Sequence, residues 1–337
     1  MSCPYSKNIP NKRYKANAKN GGVIPAVFDK RQLRVNVGCG RCFYCRMESK
    51  AEWICRLNEH YARDKKRLHW VTFTLSDQSY IRLEKRDRNY KKIGYEYDNS
   101  IIKTAIKLWR GRMRKAGFKG KDLDYFFISE LGQKNTERIH LHGFIWCNIN
   151  TKKLESIWSY GNVWNHNEHE YTYKSEYMIG YTIKYMHKVD EKHPDYKAKK
   201  FISNSIGIGY FNDKRMKTKH RFNGKDTVTT YTIDRTQKDI PLPDYYARKF
   251  WTDDQRAFLS SLHQDKVIIN GQEFNYDDEI NIESAKRSMR LHSKYMGYPD
   301  GKKLDEMFHN SLHKREYLKE ERRERLKRKG WDIDKLI

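Results

Sequence analysis

The chain has 337 residues and carries 69 Lys and Arg against 43 Asp and Glu, a formal net charge of +26, so a polyanionic partner is the first expectation. No run approaches the roughly 18 apolar residues of a membrane span, and residues 1–30 lack the apolar centre of a secretory signal, which points to a soluble cytoplasmic protein. Its 24 Tyr, 14 Phe and 8 Trp argue against wholesale disorder and supply platforms for unpaired bases, so charge and aromatics together lean towards single-stranded nucleic acid.

Residues 1–30 are polar, basic and broken by Pro and Gly, and predict an extended arm. In "CGRCFYC", Cys39, Cys42 and Cys45 repeat the C-x2-C spacing with a shared middle cysteine, as in a tetrahedral zinc knuckle. Cys3 supplies the fourth ligand if the arm folds back. Cys55 is the poorer candidate, because 48–66 reads as a helix. The alternative is three free thiols in a turn. An iron–sulfur run would add a fourth cysteine soon after Cys45, and none follows there.

Residues 68–77, "LHWVTFTLSD", alternate as a strand, and the charged stretch 78–98 predicts an inserted loop. Ile102, Ala105, Ile106, Trp109 and Met113 then fall at helical spacing, between a Ser100 start and a Gly117 stop. "LDYFFISEL" (123–131) and "RIHLHGFIW" (138–146) flank a polar loop and predict a β-hairpin. A second helix runs over 176–189, the pattern blurs beyond about residue 200, a further helix lies near 253–263, and 312–329 is charged and helix-prone. That last segment fits a solvated helix or a nucleic-acid contact equally well. The order strand, helix, hairpin, helix predicts an α+β fold, a central antiparallel sheet with helices packed mainly on one face. The predicted segments are 1–66 (arm, knuckle and helix), 67–200 (core), 201–270 (extension) and 271–337 (charged, mostly helical).

His140 and His142 are separated by one residue, which is strand rather than helix spacing. Ile139, Leu141, Gly143 and Ile145 then form a core face. Arg138, His140, His142, Phe144 and Trp146 lie on the other, an open surface. Two imidazoles on one strand can share a divalent ion, and Glu130 on the neighbouring strand is the natural third ligand for Mg2+ or Mn2+. Pairing Leu131 with Arg138 would put Glu130 on the wrong face, so the site needs a one-residue shift or a bulge. A His-x-His pair taken alone is more often structural. In "YMIGYTIKYMHK", however, Tyr177, Tyr181 and Tyr185 repeat every four residues, and Lys184 and Lys188 each follow a tyrosine by three.

With these motifs in order, the sequence resembles the HUH endonucleases of the rolling-circle replication initiator superfamily, most closely the initiators of the microviruses, small single-stranded DNA bacteriophages. The F-T-L strand matches Phe73, Thr74 and Leu75. The His-hydrophobic-His motif with its upstream glutamate matches His140, Leu141, His142 and Glu130. The tyrosine motif matches Tyr181, Lys184 and Tyr185, with Lys188 completing the repeat. "CGRCFYC", "RLNE" (56–59) and "PLPDYYARK" (241–249) extend the similarity from about residue 39 to residue 250.

The resemblance implies nicking and joining of single-stranded DNA at a replication origin, with host helicase and DNA polymerase as partners and no membrane. Tyr181 or Tyr185 would be the nucleophile, assisted by Lys184 or Lys188, giving a 5′-phosphotyrosine and a free 3′-OH. Tyr177 leaves open which pair acts. Two competing readings remain: a non-catalytic single-strand-binding protein, in which the tyrosines are packing, and a zinc hydrolase that uses water.

Overall fold

A computed structural model describes residues 3–27, 29–87, 92–133, 137–166, 176–187, 190, 192–193, 195–233, 237–263, 265–298 and 301–336. In chain order the elements begin with β1 (Lys7–Pro10), β2 (Arg34–Val37), α1 (Phe43–Arg63), β3 (Leu68–Phe73), α2 (Asp77–Arg86) and α3 (Gly94–Lys115). Next come β4 (Asp124–Leu131), β5 (Ile139–Trp146), α4 (Thr151–Trp158), β6 (Val163–Asn165), α5 (Glu176–His187) and β7 (Lys200–Ile202). The chain continues through α6 (Ile208–Asn212), α7 (Lys214–Lys219), β8 (Thr230–Ile233), β9 (Lys238–Pro241), α8 (Asp244–Phe250) and α9 (Asp253–Ser261). It ends with β10 (Lys266–Ile269), β11 (Gln272–Asn275), α10 (Glu279–Tyr295) and α11 (Gly301–Arg328). Two compact units result, one from residues 1–55 and 209–300, the other from 56–208 and 301–337. Among the described residues no helix is long and apolar enough to cross a membrane.

The second unit is the α+β layer structure expected from the sequence. Its sheet runs β6-β3-β5-β4-β7, with every neighbouring pair antiparallel. Alternation sends Val71, Phe73, Phe127, Leu131, Ile139, Leu141 and Ile145 to one face. There Tyr80 and Leu83 of α2, Ile102, Ile106 and Trp109 of α3, and Leu154 and Trp158 of α4 close the core. Phe73 stacks on Trp158 at 4.4 Å between ring centres and meets Trp109 edge-on at 6.0 Å.

Residues 77–86, expected to be loop, are helical. Ser76 caps α2 by accepting from the Ser79 backbone N–H, and Tyr80, Ile81 and Leu83 are buried. The charged residues between them mask this short apolar stripe. α3 begins at Gly94 rather than Ser100, whose buried hydroxyl hydrogen-bonds Asp87 instead of starting the helix. The opposite sheet face is also more covered than expected. Phe144 and Trp146 are fully buried, and Trp146 meets the His60 ring of α1 edge-on at 4.5 Å. Arg138 leaves that face, because it lies outside β5 and pairs with Asp77 of α2 at 2.9 Å.

The charged C-terminal helix α11 is not a solvated rod. Arg315 and Arg322 are buried, Arg315 pairing with Asp98 at 2.8 Å and with Glu137 at 3.0 Å. The Arg322 guanidinium sits 3.6 Å above the Tyr80 ring, and Arg325 reaches Asp77 at 2.9 Å. Cationic positions that look redundant in sequence are the partners of acids on α2 and α3.

In the first unit, three two-stranded ribbons, β1-β2, β8-β9 and β10-β11, surround short helices. Tyr210, Tyr231, Leu242, Tyr246, Trp251 and Leu259 form its aromatic core. The predicted arm is folded: β1 pairs with β2 with Lys7 opposite Val37, and the Tyr14 hydroxyl donates to Gln32 Oε1 at 2.8 Å.

Candidate active site

The hairpin register decides whether Glu130 joins the histidines. Leu131 pairs with Ile139 and Glu130 with His140, one residue along from the pairing the short loop suggests. The shift is absorbed next to Glu137, whose φ of 41° lies in the left-handed region, while the Gly132 N–H donates to the Arg138 carbonyl at 2.9 Å. Glu130, His140 and His142 therefore share a face with Trp70 and Thr72 of β3, since Thr72 lies opposite His142 and Trp70 opposite Phe144.

On that face Glu130 Oε2 lies 2.8 Å from His142 Nε2. The other ring nitrogen of His142 is 3.0 Å from Thr72 Oγ1. The same hydroxyl is 2.8 Å from Nε2 of His166, at the end of β6. A hydroxyl that can donate one hydrogen bond and accept another links the two rings, fixing the orientation of His142. His166 had no motif around it in the sequence. The available signal was alternation, since Val163 and Asn165 are buried, which turns Trp164 and His166 the other way.

Burial, reinforced by the neighbouring His142, pushes the His140 imidazole down to about 4, so it is neutral near pH 7 with a lone pair to offer. Its ring centre is 6.4 Å from that of His142. The donor set, two imidazoles and a carboxylate, suits a divalent ion in kind. It is more open than the cysteine cluster: among the described residues, Cys3, Cys39, Cys42 and Cys45 are the one group of three or more donors whose ligand atoms all lie within 4.8 Å.

Helix α5 packs against β4 and brings the tyrosine stripe to the histidine face. Met178, Ile179 and Ile183 are buried, which turns Tyr177, Tyr181 and Lys184 outward. The Tyr181 ring meets Trp70 edge-on at 5.6 Å, and Trp70 is two residues along β3 from Thr72. His166 lies over the same indole at 4.6 Å, so Trp70 sits between the nucleophile candidate and the histidines. Tyr181 is 41% exposed and Tyr177 77%. Tyr185 lies on α5, but its side chain is outside the described residues, as is Lys188.

Residues 68–190 match a family of viral type described as Replication-associated protein ORF2, a span that holds the histidines, Glu130 and the tyrosine helix. A replication-associated protein ORF2 of Spiroplasma virus 4 is 28% identical over 290 residues, 75% of this chain and 82% of that protein. No solved structure matches the chain. Both matches support a viral rolling-circle replication initiator, and with it a role in replication initiation.

Proposed function

We propose that the protein nicks and rejoins single-stranded DNA at a replication origin through a tyrosine-linked intermediate. The observation that carries this reading is the shared face: Glu130 and His142 in contact, His140 one strand position away, and the exposed Tyr181 beside them over Trp70. A buried core residue or a structural histidine pair has no need of that exposure. His140, His142 and Glu130 are the residues that would hold Mg2+ or Mn2+, which when bound supplies Lewis acidity to a phosphate oxygen.

The chain's own residues do the rest. The phenolic oxygen of Tyr181 or Tyr185 attacks phosphorus, the bond to the 3′ oxygen breaks, and that oxygen takes up a proton. A phosphodiester is exchanged for another of similar energy, so rejoining needs no ATP. Lys184, exposed one turn from Tyr181, neutralises charge on the pentavalent transition state or delivers that proton, and Lys188 offers the same chemistry one turn further on. With two tyrosines, one holds the 5′ end while the other cuts the regenerated origin, which releases a circle. The free 3′-OH serves a DNA polymerase. Trp70 and Tyr181 provide ring faces and edges for splayed bases.

The test is an origin oligonucleotide mixed with full-length protein and Mg2+ or Mn2+, then run in SDS. A protein–DNA adduct is expected, lost in His140→Ala and His142→Ala and partly retained in each single Tyr→Phe variant. An adduct that persisted in the Tyr181→Phe/Tyr185→Phe double variant would overturn the nucleophile assignment. Origin binding with no adduct under any metal would leave a binding protein in place of an enzyme.

A further inference from the structure

Outside the histidine face, a second set of side chains is built for a ligand. Antiparallel pairing of β1 with β2 places the turn that contains Cys3 beside the segment that follows Val37, so Cys3 meets Cys39 across the end of the ribbon. The Cys39 backbone N–H donates to Cys3 Sγ at 3.3 Å. Gly40, with φ of 69°, then turns the chain back so that the Arg41 and Cys42 N–H groups donate to Cys39 Sγ at 3.4 and 3.3 Å. The Cys45 N–H donates to Cys42 Sγ at 3.5 Å. Three of the four sulfurs thus accept backbone N–H groups, the arrangement that stabilises thiolates rather than thiols.

The spacing selects the occupant. Four sulfurs held about 2.3 Å from one tetrahedral ion stand about 3.8 Å apart. Cys3 Sγ and Cys42 Sγ are 3.8 Å apart, and all four sulfurs lie within 4.8 Å of one another. A disulfide would draw two of them to about 2 Å, and no disulfide joins any of the six cysteines. An iron–sulfur cluster would seat each cysteine on a different or shared iron across a larger core, wider than this set allows. Cys42 directly precedes α1 and Cys45 lies in its first turn, where no acidic side chain competes for the positive end of the helix.

We propose that Cys3, Cys39, Cys42 and Cys45 bind one structural Zn2+ that fastens the N-terminal arm to the start of α1. The knuckle is also a packing centre. Phe43 packs edge-on against His292 of α10 at 5.0 Å and against Tyr298 at 5.6 Å. The Phe43 N–H donates to Ser293 Oγ at 3.3 Å, and Arg290 donates to the Pro4 carbonyl at 3.1 Å. The ion therefore joins three stretches of the first unit that are far apart in sequence, and it acts apart from the nicking chemistry.

Full-length protein, purified without chelator, is measured by elemental mass spectrometry and by zinc-edge X-ray absorption. The expected result is about one zinc per chain with four sulfur neighbours at about 2.3 Å. Cys39→Ser/Cys45→Ser should hold less than a tenth of that zinc, and Cys55→Ala should hold the full amount. Zinc far below one per chain, iron in its place, or a nitrogen and oxygen coordination shell in the wild-type protein would each overturn the assignment. These wild-type readings decide the matter even if the double variant fails to fold.

Discussion

Replacing Arg315 by methionine removes a guanidinium but keeps most of its apolar volume. The cost follows from what is left behind. Asp98 is 1% exposed and takes both Nε and Nη2 of Arg315, at 2.9 and 2.8 Å, while Glu137, 2% exposed, loses one of several cationic partners. Glu137 retains Lys192 at 3.0 Å, Lys314 at 2.7 Å and His193 at 2.7 Å. The loss is therefore mostly that of a buried carboxylate at Asp98 stripped of its arginine, for which breaking a buried pair costs about 3–5 kcal/mol. Two compact units make a single melting midpoint ambiguous, so native-state hydrogen exchange of the β5 and α3 amides is the appropriate assay. Opening should become about 10²–10³-fold more frequent in the variant. Adding Asp98→Asn should recover part of the loss. A change below about fivefold would show that α11 is the solvated helix its composition suggests.

A Cβ at Gly143 would fall 1.9 Å from the Phe126 carbonyl oxygen and 2.8 Å from Phe127 Cα, so Gly143→Ala should force β4 and β5 apart. A loss of about 3 kcal/mol or more is expected, seen as lost near-ultraviolet dichroism or insolubility. Thr72→Val keeps a β-branched residue in β3 but removes the hydroxyl between His142 and His166; Mn2+ affinity, measured by titration, should fall about 10–100-fold while thermal stability changes little. Acid should weaken the second unit. Burial alone would raise the Glu137 carboxyl, but hydrogen bonds from Lys314, His193 and Lys192 hold it down at about 2. A depressed carboxylate stabilises the fold fully above its unfolded value, near 4.5, and the contribution disappears as pH falls from there towards 2. On the order of 3 kcal/mol should be lost across that window, and hydrogen exchange compared at pH 6 and pH 3 reads it.

The periodic parts of the fold were legible in the sequence. Two-residue alternation gave β3 and the hairpin, and helical spacing gave α3 and α5, because each element buries one face against a single core. Less legible were features settled by distant partners. α2 shows three buried apolar side chains among charges that pair with α11, more than two hundred residues later. Phe144 and Trp146 alternate with the histidine pair, yet they are interior because other elements cover that end of the sheet. A solitary histidine such as His166 carries no local mark. It joins the site only because β6 pairs with β3.

The hairpin register joins these observations to the chemistry. Local loop length favoured the pairing that turns Glu130 away from the histidines, and the adopted pairing requires an unfavourable positive φ at Glu137, a non-glycine residue. That strain, of order 1–2 kcal/mol, is outweighed by the ion pairs Glu137 makes with Arg315, Lys314, Lys192 and His193. The basic C-terminal helix therefore has a part in building the site without reaching it: its side chains select the strand pairing that sets a carboxylate beside His142. Shortening the chain before α11 should cost metal affinity through Glu130 as well as stability. If a chain ending at residue 300 bound Mn2+ as tightly as the full protein, the register would have to be fixed by the hairpin alone.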